Sequence, residues 1–451
     1  MAEIIPFNGL LYNARKVGDL SRVMAPPYDV ISPKLQDTLY ARHPNNIVRL
    51  ILGKINPDDS TENDRYRRAA ADLSKWINDG VFVRDERPAI YYYTQSYALK
   101  DGTRHTRRGF IALSRIEEFG KGGIHPHERT LSGPKADRLK LMQACGTNLS
   151  CIFSLYSDPG RKLNCSLEEA VKTALPLIDV RDDDGIENRL WRIEEPAVIK
   201  AVAEGMKNRP LFIADGHHRY ETALNYRDMM REKNKNSTGT EPYDYVMMYF
   251  SNMDDEGMTI WPTHRVIHSL KSFDGVKFIG ICKEFFDIVE FRYNNDTEPE
   301  VRTRFLKTLE TEGREKTSFG LHIRHRDAYY VLMIKTPETM GLVFGAGIPD
   351  VFKKLDVTVL HSLILSKILG ITQEAQERQE NLVYVKSHEE AINACGKDGN
   401  QLVFLLNPTR IEQVRAVAEA GYVMPQKSTY FYPKLLSGLV INLLGTAEVK
   451  A

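Results

Sequence analysis

The chain has 451 residues, more than one hydrophobic core accommodates, so two or three domains are expected. The charges of its 61 basic and 60 acidic side chains nearly cancel, which argues against general electrostatic binding to nucleic acid. Five scattered cysteines without a C-x-x-C pair exclude a zinc ribbon and suit a reducing cytoplasm. The first residues lack the pattern of a signal peptide, and no run of about 18 apolar residues exists that could span a membrane. We therefore expect a cytoplasmic protein with no membrane contact.

The first part of the chain predicts helices beside an antiparallel sheet. Residues 60–80 predict a helix capped by Ser60 and ended by Asp79-Gly80. The runs AIYYYTQSYAL and TRRGFIALSRI flank Asp101-Gly102, a pattern typical of a β-hairpin. Residues 120–135 form a loop broken by glycine and proline, and a helix follows from about Ala136.

The rest of the chain alternates helix and strand patterns. NRPLFIADGHHRYETALNYRDMMREK predicts strand, turn and helix, and residues 233–242 a polar loop. Residues 275–350 alternate helix and strand, suited to a support or dimerisation domain, so a homodimer is left open. Residues 351–370 predict a helix, and 401–420 a strand, a turn and a helix. We divide the chain into residues 1–160, 161–272, 273–350 and 351–451.

The stretch FIADGHHRYETAL concentrates ionisable groups on one turn after an apolar strand. Asp215 can cap the next helix, and Gly216 permits a tight approach of the backbone. The positive end of that helix is an anion site, to which His217, His218 and Arg219 add donors. Glu221 follows on the first turn, suited to a base or a metal ligand. The structural alternative is a capped helix with surface polar groups.

The segment IHPHERTLSGPKADR holds a second polar cluster. His125 and His127 face the same side of an extended strand, but no third metal ligand stands at an obvious spacing. Glu128 is a candidate general base. The alternative is a salt-bridged surface loop. Three cations of the segment suit phosphate oxygens: Arg129, Lys135 and Arg138.

Three weaker patches complete the candidates, each with a structural alternative. Tyr28-Asp29 follows two prolines that stiffen the backbone. His264-Arg265 stands at a predicted strand start. Lys427-Ser428-Thr429 lies between aromatic residues, where it can close a phosphate pocket or pack a terminal strand. The chain lacks a P-loop, a complete dinucleotide fingerprint, G-x-S-x-G and H-E-x-x-H.

Five segments, in this order, resemble the family named domain of unknown function 1015: PPYDVI, HPHERTLSGPKADRLKLM, FIADGHHRYETALNYR, THRVI and MPQKSTYFYPKLLSGLV. The resemblance covers nearly the whole chain but implies no reaction. More distantly, a strand followed by D-G-H-H-R and a helix resembles the ParB/sulfiredoxin-like superfamily, which includes free-serine kinases. That resemblance implies a mixed-sheet α+β or α/β core with additional α/β subdomains. It implies phosphates at Gly216, His217, His218 and Arg219.

Under the same resemblance, Asp215 would orient a substrate hydroxyl or Mg²⁺. The kinases' catalytic glutamate has no motif here, and Glu128 and Glu221 are the candidates. Sulfiredoxin needs a cysteine at the turn, where this chain has histidine, so sulfiredoxin chemistry is not expected.

Three functions remain open. The first is a kinase that moves a phosphoryl group from ATP or ADP, with Mg²⁺, to a small hydroxyl compound such as free serine. The second is a nucleotide-binding or hydrolysing regulator of the ParB type. The third is a metal-dependent hydrolase that uses His125, His127, His217 and His218.

The kinase hypothesis divides the candidate residues by role. Catalytic roles fall to Glu128, Asp215, His218 and Glu221. The small-molecule substrate is expected at Tyr28, Asp29, His264 and Arg265. The nucleotide phosphates are expected at His127, Arg129, Lys135, Arg138, Gly216, His217, Arg219, Lys427, Ser428 and Thr429. The metal ligands stay unassigned.

Overall fold

The computed structural model describes residues 3–99, 101–128, 132–344, 348–397 and 399–445. These residues form two compact units. Unit 1 contains residues 1–126, 130–259 and 433–451, and unit 2 contains residues 127–129 and 260–432. These bounds differ from those of the four predicted segments, and the finer four-part division stays a prediction.

Unit 1 is built on a large mixed sheet with smaller two-stranded sheets beside it. In chain order its strands are β1 (Ile4–Ile5), β2 (Leu10–Tyr12), β3 (Phe82–Arg84), β4 (Ile90–Ala98), β5 (Arg104–Arg115), β6 (Ile124–His125), β7 (Thr147–Asn148), β8 (Ile152–Tyr156), β9 (Ile178–Arg181), β10 (Glu187–Ile193), β11 (Leu211–Asp215) and β12 (Tyr245–Asn252).

The strands of the large sheet follow the order β6-β11-β8-β12-β5-β4-β10-β9, and β1 pairs with β5. β6 runs parallel to β11 and β8 runs parallel to β12, whereas the other pairs are antiparallel. The small pairs in unit 1 are β2 with β3, and β7 with the last strand of the chain, Asn442–Leu443. The predicted hairpin of β4 and β5 is confirmed.

The helices of unit 1 are α1 (Ala14–Val17), α2 (Pro33–Arg42), α3 (Val48–Ile51), α4 (Arg65–Asn78), α5 (Ser132–Cys145), α6 (Lys162–Val171), α7 (Pro196–Met206) and α8 (His217–Lys233).

Two helix starts differ from the prediction. Asp64, not Ser60, caps α4, because its carboxylate accepts the N–H groups of Tyr66 and Arg67. α5 begins before Ala136, since the first turn of a helix tolerates a proline such as Pro134.

The two faces of the large sheet differ in character. One face carries Tyr92, Phe110, Ile213 and Phe250, which form an apolar core with side chains from α6, α7 and α8. The other face carries Tyr93, Gln95, Arg107, Phe153 and Tyr249, all buried. A polar and aromatic face on a buried sheet is unusual, because each buried polar group needs a partner.

Unit 2 is built on a six-stranded antiparallel sheet in the order β15-β17-β16-β19-β14-β18. The remaining strands of the described residues are β13 (Thr259–Trp261), β14 (His264–His268), β15 (Phe286–Arg292), β16 (Ser318–Ile323), β17 (Ala328–Ile334), β18 (Leu382–Val385), β19 (Asn400–Leu406), β20 (Tyr430–Tyr432) and β21 (Asn442–Leu443). All belong to unit 2 except β21 and Thr259 of β13, which belong to unit 1.

The helices of unit 2 are α9 (Gly275–Phe285), α10 (Glu298–Glu312), α11 (Asp350–Lys353), α12 (Asp356–Val359), α13 (Gln373–Glu377), α14 (His388–Cys395) and α15 (Ile411–Glu419). The single helix predicted over residues 351–370 is wrong, because α11 and α12 are separate and a π-helix, Leu360–Ile368, follows. π-Helices are rare and are frequent at functional sites. The strand, turn and helix predicted over 401–420 are confirmed by β19 and α15.

The architecture therefore confirms a mixed α/β protein with one large mixed sheet and several smaller sheets. No described helix combines the length and apolar character needed to cross a membrane.

Candidate functional site

The D-G-H-H-R segment forms the predicted strand, turn and helix in unit 1. β11 is apolar and buried up to Ala214, and α8 begins at His217. Gly216 joins them in the left-handed region, with φ of 91°. The role of Asp215 as N-cap is wrong, because Gly216 holds the cap position and no side chain caps the helix.

A β-bulge redirects Asp215. The pairing of β11 with β8 shifts register between Ile213 and Asp215, so that Asp215 stands opposite Phe153. Phe153 in turn stands opposite Tyr249, on the polar and aromatic face of the sheet. A bulge changes the face to which the following side chain points. Asp215 therefore points away from the apolar core that holds Ile213.

Two cations share the Asp215 carboxylate. Arg219 Nη2 lies 3.3 Å from Oδ2, and Lys434 Nζ lies 3.3 Å from Oδ1. Burial alone would raise the pKa of Asp215, but Lys434, Arg219 and His217 together hold it well below its usual range. The carboxylate is therefore ionised at neutral pH, and the local charge remains positive.

Arg219 folds back over the turn. Its Nη1 donates to the carbonyl of Cys151. A Cβ atom placed on Gly216 would lie 2.8 Å from Arg219 Nε, which is closer than side chains tolerate. Glycine is therefore needed at 216 both for its backbone conformation and for the position of the guanidinium.

Arg138 brings α5 to the same region of unit 1. Its guanidinium lies 4.0 Å from the centre of the Tyr28 ring, donates to the carbonyl of Ile51 at 2.7 Å and pairs with Asp137. Burial raises the pKa of Tyr28, while the charges of Arg138 and Arg219 oppose that rise. Tyr28, Arg138 and Arg219 therefore lie close together.

A small cavity of about 50 Å³ opens beside these groups. Tyr28, Arg138, Arg219 and Thr222 supply much of its polar wall, together with Thr147. Within the described residues, the buried Thr147 hydroxyl has no hydrogen-bond partner. Two arginines and an unsatisfied hydroxyl suit an anionic group.

The remaining predicted residues of unit 1 lie nearby in differing environments. Lys135 Nζ donates to Glu221 Oε2 at 2.7 Å, which joins α5 to α8. His217 is buried, His218 is half-buried, and Asp29 is exposed. Lys135, in the segment IHPHERTLSGPKADR, therefore contacts the helix that follows the D-G-H-H-R turn. Arg129 lies outside the described residues.

The other predicted residues gather in unit 2. His127 Nε2 lies 2.8 Å from Thr429 Oγ1, and Glu128 Oε1 accepts from Thr429 N at 3.0 Å and from Thr429 Oγ1 at 3.1 Å. Ser428 Oγ donates to the carbonyl of Pro425 at 2.5 Å. Lys427 is exposed, with φ of 57°. Thr429 thus contacts both His127 and Glu128.

Arg265 is fully buried and forms the centre of this second cluster. Its guanidinium donates to the carbonyls of Thr263 and Lys427 and to His361 Nε2, the last at 3.2 Å. His361 Nδ1 lies 2.8 Å from Gln376 Oε1. Burial lowers the pKa of His361 to about 3, and Arg265 acts in the same direction. His361 is therefore neutral, with its Nδ1 proton directed to Gln376.

His264 is also buried and neutral. Its Nδ1 accepts from the backbone N–H of Leu406 at 3.2 Å. Burial, with the charges of His388 and Arg265, lowers its pKa to about 3. Neither His264 nor Arg265 presents an exposed group, so the structure offers no support for their predicted contact with substrate.

Sequence reasoning missed three residues that organise these clusters. Lys434 stands only five residues after Thr429, in the same aromatic segment, and that proximity was its only signal. Arg107 lies in β5 within the polar run RHTRR, which gives no sign of burial. His361 stands in an apolar run predicted as an ordinary helix.

A predicted metal site finds little support. The described residues contain no group of three or more His, Cys, Asp or Glu side chains placed to hold a metal ion. His125, one of the proposed ligands, stacks on Phe212 with ring centres 5.4 Å apart.

Comparison with solved structures gives weak likenesses. A conserved hypothetical protein from Pyrococcus furiosus aligns at 15% identity over 71% of this chain and 92% of its own, with a TM-score of 0.34. A free serine kinase in complex with AMP aligns at 13% over 68% and 83%, with a TM-score of 0.32. C-terminally truncated SbnI from Staphylococcus aureus aligns at 10% over 75% and 90%, with a TM-score of 0.36.

No curated protein matches the sequence significantly. The family described as "Protein of unknown function (DUF1015)" matches residues 4–358, and the tail segment that resembled it lies beyond this match. Because the match spans most of the chain, the protein belongs to the DUF1015 family.

Proposed function

We propose that this protein is a nucleotide-dependent phosphotransferase that acts on a small hydroxyl compound, with free serine as the first acceptor to test. The phosphates would bind at the Asp215-Gly216 turn of unit 1. The observation that carries the proposal is the excess of positive charge there: Arg219 and Lys434 share one carboxylate. The adjacent cavity adds Arg138.

The chemistry of phosphoryl transfer fits these parts. The reaction needs mainly positioning and neutralisation of charge on the transferred group. The positive end of α8 and the Arg219 guanidinium supply both at the turn. His217 and His218 follow at the same helix start, and we propose His218 as a further donor to phosphate. The strand, turn and helix are also the local arrangement of a ParB/sulfiredoxin-like core, which remains part of the proposal.

Asp215 would hold the metal or the acceptor. Mg²⁺ commonly uses one or two protein carboxylates together with nucleotide phosphates, and an ionised Asp215 beside a phosphate site fits that donor set. Bound Mg²⁺ would neutralise phosphate charge. The carboxylate is also suited to accept a hydrogen bond from the hydroxyl of the phosphate acceptor. Lys135 and Glu221 pair with each other, and we assign them to holding α5 against α8.

The direct test is phosphorus NMR of the protein with Mg²⁺, ATP, ADP and a pool of small hydroxyl compounds that includes serine. We expect a new phosphomonoester signal. Arg219→Ala and His218→Ala should each reduce its rate, the former by about 100-fold or more, as for loss of one preorganised donor. Arg189→Ala, at an exposed arginine of β10, is the matched control.

Three results would contradict the proposal. An unchanged spectrum with bound nucleotide would favour a nucleotide-dependent switch. Release of inorganic phosphate alone would favour a hydrolase. Full activity in Arg219→Ala would remove the turn from the active site.

A further inference from the structure

The C-terminal segment of unit 1 is fastened across the polar and aromatic face of its sheet. Ser437 exchanges backbone hydrogen bonds with Ala25 at 2.8 and 3.3 Å, and its hydroxyl lies 3.0 Å from that of Ser150. Leu10 and Ile441 exchange backbone bonds at 2.9 and 3.0 Å. β21 then pairs with β7. The segment is therefore an integral part of unit 1 and not a loose tail.

Two side chains of the sheet hold the start of this segment. Arg107 Nη2 donates to the carbonyl of Pro433 at 2.6 Å, and Gln95 Nε2 donates to the carbonyl of Lys434 at 3.0 Å. Arg107 also donates to Gln95 Oε1, and its guanidinium lies 4.6 Å from the centre of the Phe153 ring. Both side chains are buried.

Burial of Arg107 is costly and calls for a role. The residue is 1% exposed, and within the described part of the chain its Nε and Nη1 atoms have no hydrogen-bond partner. An incompletely satisfied buried guanidinium costs free energy. It persists here at the carbonyl of Pro433, the residue before Lys434, which indicates that the placement of this segment matters.

The effect of this anchoring is to place one lysine at the turn. Lys434 Nζ lies 3.3 Å from Asp215 Oδ1, and the side chain is only 13% exposed. Asp215 keeps a second cation, Arg219, at 3.3 Å. Lys434 can therefore move to a bound anion while Asp215 remains paired.

We infer that Lys434 contacts the nucleotide phosphates, exchanging its contact with Asp215 for a phosphate oxygen, and that Arg107 and Gln95 position it by holding the backbone of residues 433 and 434. A lysine acts on phosphate as a compact, mobile point charge, which suits such an exchange. The inference rests on the proposed phosphate site but not on the identity of the acceptor. It places the lysine that would bind phosphate in a part of the chain that lies beyond the family match.

The test is calorimetric binding of inorganic tripolyphosphate and of ATP to the full chain. Lys434→Met should weaken both at least tenfold, whereas Lys434→Arg should retain most of the affinity. Lys200→Met is the control, since Lys200 lies on α7 with 76% of its side chain exposed. Circular dichroism and the melting temperature establish that each variant is folded.

A second readout separates phosphate contact from a purely structural role. Phosphorus NMR chemical shifts of bound tripolyphosphate should change between wild type and Lys434→Arg, because the contacting group differs. Wild-type affinity and unchanged shifts in folded Lys434→Met would overturn the inference.

The proposed function can be contradicted independently of the inference about Lys434. Tight binding of ATP without phosphoryl transfer would contradict the kinase proposal. The inference about Lys434 would then be decided by the affinities of wild type and Lys434→Met for ATP and tripolyphosphate. Absence of binding of both ATP and tripolyphosphate by wild type would overturn both.

Discussion

The two polar clusters look alike in the sequence but differ in their balance of charge. At the turn of unit 1, Arg219 and Lys434 share one ionised carboxylate, Asp215. In unit 2, the groups mostly satisfy one another: Thr429 bonds Glu128, and Arg265 donates to two carbonyls and to the neutral His361.

This difference separates a cluster in which two cations share one carboxylate from a network of mutual hydrogen bonds in which, among the described residues, Arg265 Nε and His264 Nε2 still have no hydrogen-bond partner. A buried network that is satisfied rigidifies a core. A group of cations with too few carboxylates is stabilised by a bound anion. We therefore choose the candidate ligand site by the balance of charge within the folded cluster and not by the density of ionisable residues in a motif.

The largest expected contrast is in stability. Arg265→Leu leaves two buried acceptors unsatisfied, the carbonyl of Thr263 and the Nε2 atom of His361, and also removes the donor of the part-buried Lys427 carbonyl. At about 1 kcal/mol or more for each buried acceptor, we expect a loss of about 2 kcal/mol or more in the free energy of unfolding of unit 2. Hydrogen exchange measured by mass spectrometry assigns the loss to peptides of each unit.

The matched variant in unit 1 is Arg219→Leu. It leaves the carbonyl of Cys151 without this donor, but Asp215 keeps Lys434, so we expect a stability loss under about 2 kcal/mol. Its nucleotide affinity should fall sharply. Equal destabilisation by both variants, with nucleotide affinity intact in Arg219→Leu, would contradict the distinction between site and network.

Mild acid should weaken unit 2. Burial lowers the pKa of both His264 and His361 to about 3, whereas each histidine takes up a proton near pH 6.5 when unfolded. Each therefore loses up to about 1.4 kcal/mol of stability per pH unit as the pH falls below about 6.5. Burial raises the pKa of Asp356 to about 7, above its unfolded value of about 3.9, so its protonation stabilises unit 2 by up to about 1.4 kcal/mol per pH unit as the pH falls from about 7 to 4. From these three residues the expected loss is about 1.4 kcal/mol per pH unit between about pH 6.5 and 4, and His322, whose pKa burial also lowers, acts in the same direction.

Asp215 behaves differently, because its pKa is lowered by its two cations. Its contribution is present above its unfolded pKa of about 3.9 and is lost only at lower pH. Hydrogen exchange at pH 7, 6 and 5, corrected for intrinsic rates, checks the contrast. His361→Gln should remove most of the slope in unit 2; an unchanged slope would show that buried histidines do not cause it.

Local patterns predicted the elements, whereas long-range contacts decided the site. The apolar run before Asp215 and the helix after it were predicted because both signals lie within one segment. The bulge that redirects Asp215 depends on its pairing with β8, which no local pattern encodes. Lys434 likewise lies at the turn through long-range contacts, since Arg107 and Gln95, distant in the sequence, bond the carbonyls of residues 433 and 434. The π-helix around His361 was not predicted either, since its sequence is an ordinary apolar helical run.

A smaller effect tests the geometry of the turn. Gly216→Ala places a Cβ in the left-handed region, at a cost of roughly 1–2 kcal/mol, and 2.8 Å from Arg219 Nε. Arg219 must move, so we expect the affinity for ATP to fall about tenfold, equivalent to 1.4 kcal/mol. Gly185→Ala is the control, because its φ is 78° and no atom lies within 4 Å of the new Cβ. Similar stability losses with a binding defect only in Gly216→Ala would support the site; equal binding in both would contradict it.

The smallest effect concerns the pair between Lys135 and Glu221. Their contact is 2.7 Å, and the side chains are 29% and 23% exposed, so either Lys135→Met or Glu221→Gln should cost under about 1 kcal/mol of stability. If the pair only joins α5 to α8, the exchanged double variant Lys135→Glu with Glu221→Lys should regain most of that stability and the wild-type turnover. If Glu221 is instead the catalytic carboxylate, turnover should stay low in the exchanged variant even though stability returns. Urea unfolding and turnover measured on the same four proteins therefore distinguish a joint between two helices from a base at the phosphate site.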